Sequence, residues 1–234
     1  MSNVPKLRFK EFNDEWEEKN FKQFILNHKG GAPLKPKDFV SNSNYEVIPK
    51  KAIQSGGKLL LDKESPTFCT EDFFRNNQNN VIDSKYLVTT LRDLVPSGPS
   101  IGYIVKNANT SDLLLVQGVY GFRINDKLSE SFLIQLSNRL EYRRLMQRLM
   151  VGSTQVHIRN QDFFQISLNL PSKQEQEKIA SFLNQVDTKI EQLTTKEELL
   201  QQYKKGVMQK IFNQEIRFKA DDGSEFCEWK EKKL

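Results

Sequence analysis

Residues 172–212 read SKQEQEKIASFLNQVDTKIEQLTTKEELLQQYKKGVMQKIF, a stretch with no proline and a single glycine, Gly206. Ser172 with Glu175 three residues on is the Ser-x-x-Glu pattern of a helix start. Behind it, Ile179, Val186, Leu193, Leu200 and Val207 recur every seven residues, and Leu183, Ile190, Glu197, Lys204 and Ile211 follow each of them by four. Eight of these ten positions are apolar, which predicts a coiled-coil seam with a polar break toward its C-terminal half. A helix of about 40 residues rises roughly 60 Å. Its own globule, by domain scaling, is only about 40 Å across. A second long helix is therefore the expected cover for Ile179, Leu183, Val186, Ile190, Leu193, Leu200, Val207 and Ile211. Packing of an amphipathic helix in cis is the plainer alternative.

Working back from that helix, residues 1–171 change character. Short apolar runs alternate with turn residues: Tyr45–Ile48, Tyr86–Thr90, Ile101–Val105 and Gly118–Ile124 read as strands. Between them lies a helical stretch near Ser131–Met150, with Leu133, Leu136, Leu140 and Leu149 at helical spacing. A last strand, about Gln165–Leu170, is stopped by Pro171. The expectation is an α+β globule of mixed short strands and helices over 1–171, a long coiled-coil-forming helix over 172–212, and a tail over 213–234.

The tail carries a repeat. Leu7-Arg8-Phe9-Lys10 returns as Ile216-Arg217-Phe218-Lys219, and the acidic run ending in Trp16 is echoed by Gly223–Trp229. The chain's two tryptophans occupy the matched places. An offset of about 209 residues is too long for a solenoid repeat. It reads as the start of a second copy of the same domain.

Hydrophobic residues make up 37% of the 234 and charged residues 28%, too apolar for disorder and too polar for a membrane protein. The 16 phenylalanines can build a core. Met1–Lys6 has no signal-peptide run, and Leu113–Val116 is far short of a membrane span. Cys69 and Cys227 lie far apart, without zinc or disulfide spacing, as two reduced thiols of a cytoplasmic protein would. The net charge of +5 permits nucleic-acid binding without requiring it.

Three stretches carry a family likeness. Gly152-Ser153-Thr154-Gln155, Ile158-Arg159 and Leu170-Pro171 followed by Glu175–Ala180 resemble the junction between a target-recognition domain and a conserved helix in the specificity subunits of type I restriction–modification systems. Tyr203–Phe212 is similar to the end of that helix, and Pro5–Phe9 to the family's start. About residues 20–130 match weakly, as expected for the part that varies with the DNA read. The resemblance implies that each of two recognition domains reads half of a split double-stranded DNA site, and that two long helices pair antiparallel and set the gap. It implies partner modification subunits that bring S-adenosylmethionine and methylate adenine, and restriction subunits that bring ATP-driven translocation and cleavage, with Mg there too. The family usually carries both recognition domains in one polypeptide. Bipartite reading here implies a homodimer through the long helix, or pairing with another specificity half.

No catalytic residue, metal site or cofactor is expected in the chain itself. Neither Gly-x-Gly-x-x-Gly nor the P-loop pattern occurs, nor does Asn-Pro-Pro-aromatic, which resembles the adenine-flipping site of amino-methyltransferases. His28 and His157 lack spaced partners. Asp14, Glu17 and Lys19, and Glu231–Lys233, read as charged surface rather than a nuclease centre.

Affinity for DNA comes from Lys and Arg on phosphates, specificity from contacts to base edges. Lys85–Lys106, with Lys85, Thr89, Thr90, Arg92, Ser97, Gly98 and Ser100 around a Pro-Ser-Gly-Pro loop, is the candidate reading surface. Arg92 is placed there to bind guanine. Arg139, Arg143, Arg144, Arg148 and Arg159 form a second basic cluster, and Thr154 and Gln155 sit in the loop after it, where Gln can read adenine. Lys50, Lys51 and Arg75 are phosphate candidates. The rival reading is a coiled-coil interaction module whose globule binds protein instead of DNA.

Overall fold

The computed structural model describes residues 5–109 and 111–230; Met1–Val4 and the Glu231–Lys233 pattern lie outside them. The strands in chain order are β1 (Glu17–Asn20), β2 (Ile25–Gly30), β3 (Phe39–Val40), β4 (Val47–Ile48), β5 (Phe68–Cys69), β6 (Val81–Ile82), β7 (Leu87–Thr90), β8 (Arg92–Asp93), β9 (Ile104–Lys106), β10 (Leu113–Leu115), β11 (Val119–Ile124), β12 (Val156–His157) and β13 (Ser167–Leu170). The α-helices are α1 (Glu71–Asn76), α2 (Glu130–Asn138), α3 (Leu140–Leu149), α4 (Asn160–Phe164) and α5 (Lys173–Phe212). The chain divides into two compact units at Asn184/Gln185, inside α5.

The first unit is organised by an antiparallel sheet in the order β2-β11-β7-β9. Successive strand residues face opposite sides, and here both sides are covered. Leu87, Ile104 and Phe122 enter an aromatic core with Trp16, Phe21, Phe132, Phe163 and Phe164. The adjoining Val88 and Val105, and Val119 three residues before Phe122, enter an aliphatic core with Ile48, Ile53, Ile82, Leu113 and Leu115. Every residue of β7 is therefore buried, as in a strand covered on both faces. A smaller sheet, β4-β10-β6, lies in the aliphatic part, with β10 parallel to β4 and antiparallel to β6. β1 pairs with β13, Glu17 opposite Leu170, so the start of the globule is tied to its last strand.

The expected helix over Ser131–Met150 is two helices. Arg139 has extended backbone (φ −68, ψ 140) between α2 and α3. The Ser137 hydroxyl and the Asn138 amide both donate to the carbonyl of Ile134, at 2.7 and 2.9 Å. Such side chains compete with the backbone ladder, and the helix breaks one residue later. The strand expected from Ile101 begins at Ile104, because the chain around Gly102 turns to donate its amide to Thr90 O at 2.8 Å. The strand expected from Gln165 starts at Ser167, after α4.

At the start of α5, Ser172 Oγ accepts the Glu175 amide at 3.4 Å, half of the expected capping box. The Glu175 carboxylate does not turn back to complete it. It is 1% exposed and takes both Arg8 Nε and Arg8 Nη2 at 2.7 Å, with the Trp16 indole at 3.4 Å. The carboxylate raises the Arg8 pKa further through that hydrogen bond. Phe9 meets Phe182 edge-on at 6.1 Å, and Lys178 pairs with Glu11. Gln176, also buried, accepts the Ser129 amide at 2.9 Å and donates to Pro171 O at 3.0 Å, joining α5 to the cap of α2. Ile179 and Ala180 pack on the aromatic core.

In the second unit, α5 continues to Phe212 and ends in a Schellman motif. Gln214 has φ 60, its amide donates to Ile211 O at 3.0 Å, and that of Glu215 to Lys210 O at 2.9 Å. Val186, Ile190, Leu193 and Leu200 are exposed at 41, 55, 53 and 57%, while Val207 and Ile211 are half-buried. In the tail, Trp229 stands edge-on to Phe212 at 6.0 Å.

Removing one partner of a buried ion pair strands the other charge. Arg8→Ala is expected to lower the melting temperature by several degrees, and to cost much less when Glu175 is already Gln. Thermal denaturation of the two single variants and the double variant reads this coupling; full additivity contradicts it.

Candidate nucleic-acid interface

Leu91 turns the chain out of the central sheet, and β8 pairs with β12 instead, Arg92 opposite His157 and Asp93 opposite Val156. This short ladder holds two loops together. One is 94–100. The other is Gly152–Gln155, closed by the bridge between Val151 and His157. Gly152 has φ +113, and a Cβ there would stand 2.2 Å from Gln155 O, so only glycine lets this turn close. The closed turn exposes Thr154 and Gln155, and Gln155 Oε1 accepts Arg92 Nη2 at 3.4 Å.

Lys50 comes to the same place from a different part of the chain. A Cβ on Gly118, whose φ is +92, would lie 2.8 Å from Arg92 Cβ and 3.0 Å from Lys50 Cε. Burial lowers the Lys50 pKa, the Arg92 guanidinium lowers it further, and Asp93 partly offsets both. Two cations thus share a half-buried position, where an anion would relieve their repulsion. Lys50 and Lys51 also line a groove of about 410 Å³ with Gln117, Thr67 and Phe39. Lys51 lies 3.7 Å from Asp62.

The rest of the 94–100 loop is fixed by Asp93. Burial alone would raise its carboxyl, but hydrogen bonds from Ser100 Oγ (2.6 Å) and from the Val95 and Ser100 amides (both 3.3 Å) outweigh burial and hold it below the ordinary carboxylate value. Ser100 is thus an internal brace. Gly98 is buried against Met150. Thr90 is fully buried, its hydroxyl donating to Arg92 O at 3.0 Å and Gly118 O at 3.2 Å. The sequence placed Thr90, Gly98 and Ser100 on the reading surface; in the structure Thr90 and Gly98 are buried and Ser100 is half-buried against Asp93. Ser97 is exposed, together with Leu94 and Val95, apolar residues at the loop tip that the sequence reading did not single out.

The arginines of 139–159 separate. Arg143 donates to Pro99 O at 3.0 Å and stacks 3.8 Å over the Tyr103 ring. Burial lowers its pKa. It braces the 94–100 loop. Arg139 pairs with Glu141 at 2.8 Å ahead of α3. Arg144 and Arg148 are exposed on one face of α3, four residues apart. Arg159 is exposed before α4. Arg75 pairs with Glu71 on α1. Lys85 is exposed at the other end of β7 from Arg92. Neither Arg75 nor Lys85 belongs to the Lys50–Arg92–Gln155 group. Gln117 and Gly118 belong there and were not singled out as site residues; Gly118 was read as the start of a strand, which begins one residue later, at Val119.

A mixed α+β globule that brings together cations and an amide from three separate parts of the chain, followed by a long heptad-patterned helix, defines a DNA-recognition domain of the specificity type. The model of the type I restriction modification DNA specificity domain matches residues 13–202, and the chain belongs to that family. It is 25% identical over 211 residues to the specificity subunit of the type I restriction enzyme MjaVIII from Methanocaldococcus jannaschii, covering 89% of this chain and 48% of that protein. Its fold is similar to the S subunit of a type I restriction-modification system from M. genitalium, with TM-score 0.59 and 16% identity over 90% of this chain and 49% of the other. It is also similar to the HsdS subunit from Thermoanaerobacter tengcongensis, with TM-score 0.54 and 13% identity over 89% and 46%. The chain spans about half the length of these relatives.

Gly152→Ala is expected to displace Gln155 and weaken binding to the specific duplex by ten-fold or more, with binding to unrelated duplexes little changed. Fluorescence anisotropy on both duplexes measures this; an equal loss on both contradicts a reading role for the loop.

Proposed function

We propose that the chain reads one half of a bipartite double-stranded DNA target for a type I restriction–modification complex, and positions the adenine methyltransferase and the restriction subunits on it. The observation that carries this is the convergence of Lys50, Arg92 and Gln155, far apart in sequence, on one rim of the globule. Arg92 and Gln155 supply the donors and acceptors that read base edges in the major groove. Lys50, Lys51, Arg144, Arg148 and Arg159 supply phosphate contacts.

The exposed apolar positions Val186, Ile190, Leu193 and Leu200 support pairing of α5 with the same helix of a second copy, or with that of another specificity half, antiparallel as the family resemblance implies. Leu183, Val207 and Ile211 would join that seam. Ile179, packed on the aromatic core, would contribute at most an edge. S-adenosylmethionine, ATP and Mg belong to the partner subunits in this reading, and the chain itself is non-catalytic. Among the described residues no three His, Cys, Asp or Glu side chains form a metal-binding group, and no helix is long and apolar enough to cross a membrane. A cytoplasmic place fits these partners.

Binding to a short target duplex is expected to weaken steeply with salt, because phosphate contacts release counterions. Lys50→Ala should reduce the log–log salt slope by about 1, and Arg92→Ala should relax base preference at one position. A salt-independent affinity, or none for DNA, favours the protein-interaction alternative. Leu193→Glu with Leu200→Glu is expected to halve the mass seen by light scattering while the globule stays folded; an unchanged mass contradicts pairing through the seam.

A further inference from the structure

The repeat of Leu7–Lys10 and Trp16 at Ile216–Lys219 and Trp229 gains a meaning from what the first copy does. Arg8 and Trp16 hold the Glu175 carboxylate. Arg217, the matched arginine, instead places Nη2 on the carbonyl oxygens of Phe226 and Cys227, at 3.1 and 2.6 Å. Phe218 and Trp229 are exposed. Eight positions separate Arg8 from Trp16, and twelve separate Arg217 from Trp229. The extra length is folded into a turn: Ala220 N donates to Ser224 O at 2.9 Å, Gly223 N to Ala220 O at 2.8 Å, and Lys219 bridges to Glu225. With the turn closed, Arg217 lies against Phe226 and Cys227, three and two positions short of Trp229. Neutral carbonyls are weaker partners for a guanidinium than a carboxylate that takes both prongs of the fork.

We propose that Ile216–Trp229 is a second carboxylate grip, and that its ligand is the Glu175 helix start of another copy of this chain, taken in exchange for that copy's own Leu7–Trp16. This deepens the helix pairing proposed above and rests on it. Two equal helices paired antiparallel set the end of each beside the start of the other, which brings the segment after Phe212 of one copy to Lys173–Glu175 of its partner. The two occupants offer the same chemistry, and each is tethered beside the site, Leu7–Trp16 by β1 and the partner's Ile216–Trp229 by the paired helix, so the exchange is set by their effective concentrations. Beside Glu175, an apolar groove of about 540 Å³, whose wall outside Leu7–Trp16 includes Phe132, Leu136, Phe182 and Leu183, has room for the incoming aromatic rings.

Cys227 is exposed and Cys69 is buried, so a maleimide photo-crosslinker on the full chain attaches at Cys227. A mixture of labelled ordinary chain and unlabelled ¹⁵N chain is irradiated, and the cross-links are mapped by mass spectrometry. Cross-links between the two isotopic species are expected at residues 132–136 or 175–183. They should rise several-fold when the ¹⁵N chain carries Arg8→Ala, which frees Glu175, and fall at least five-fold when the labelled chain carries Arg217→Ala. Arg217→Lys, which keeps the charge and loses the fork, should fall between wild type and Arg217→Ala; it does not depend on the Arg8 variant folding. Cross-links confined to one copy, landing elsewhere, or indifferent to Arg217 overturn the proposal. Light scattering on the same samples separates the two ideas: a monomeric chain sinks helix pairing and exchange together, whereas a dimer without these cross-links sinks the exchange alone.

Discussion

A carboxylate buried at the first turn of a forty-residue helix is the constraint on which the first unit depends. Desolvating Glu175 is costly unless its charge is met. Arg8 meets it with two hydrogen bonds and Trp16 adds a third, while the helix N-terminus supplies favourable dipoles. The consequence is topological. The beginning of the chain must return to the place where the globule ends, and the pairing of β1 with β13 carries it there. Gln176, the next residue, fixes the cap of α2 in the same corner. The start of α5 is thus held by charge and hydrogen bonds as well as by the packing of Ile179 and Ala180.

The rim formed by Lys50, Arg92 and Gln155 depends on that order through the central sheet. β7 is buried on both faces, so the residues that follow it leave the core in a fixed direction. Thr90 holds the exit by its hydroxyl, Asp93 and Arg143 hold the loop beyond, and Gly152 holds the turn that carries Gln155. Arg92, Lys50 and Gln155 are what this scaffolding presents. A rigid frame with a few polar side chains at loop tips suits recognition, where loops differ between relatives and the frame does not.

The long helix was legible in the sequence because its signal is periodic and local: α5 runs over Lys173–Phe212, against an expected 172–212. The α+β class was legible for the same reason, as were β4, β7, β9, β11 and β13; the other strands, β2 of the central sheet among them, were not singled out. The break at Arg139 was not, because it comes from Ser137 and Asn138 capturing a carbonyl, and the same residue types also occur on the surfaces of unbroken helices. Glu175 was read as a capping residue; its true partner lies 167 positions away, beyond any local pattern. Of the candidate contacts, Arg92, Lys50 and Gln155 converge, while Thr90 and Gly98 are buried and Ser100 and Arg143 are engaged by Asp93 and Pro99. Residue type alone does not separate a serine that touches a ligand from one that braces a neighbouring carboxylate. Burial and hydrogen-bond partners do.

The chain spans about half of its relatives, and its heptad positions from Val186 to Leu200 stand exposed. On the reading proposed above, one recognition head on such a helix would join a second to read a bipartite site, and two identical heads related by a two-fold axis would read an inverted repeat. The direct test is to express the chain with a modification subunit in cells lacking other adenine methylation and to map methylated adenines across the genome. An inverted repeat with a gap of fixed length, methylated on both strands, is the expected result. No new methylation, or a motif without internal symmetry, would contradict it.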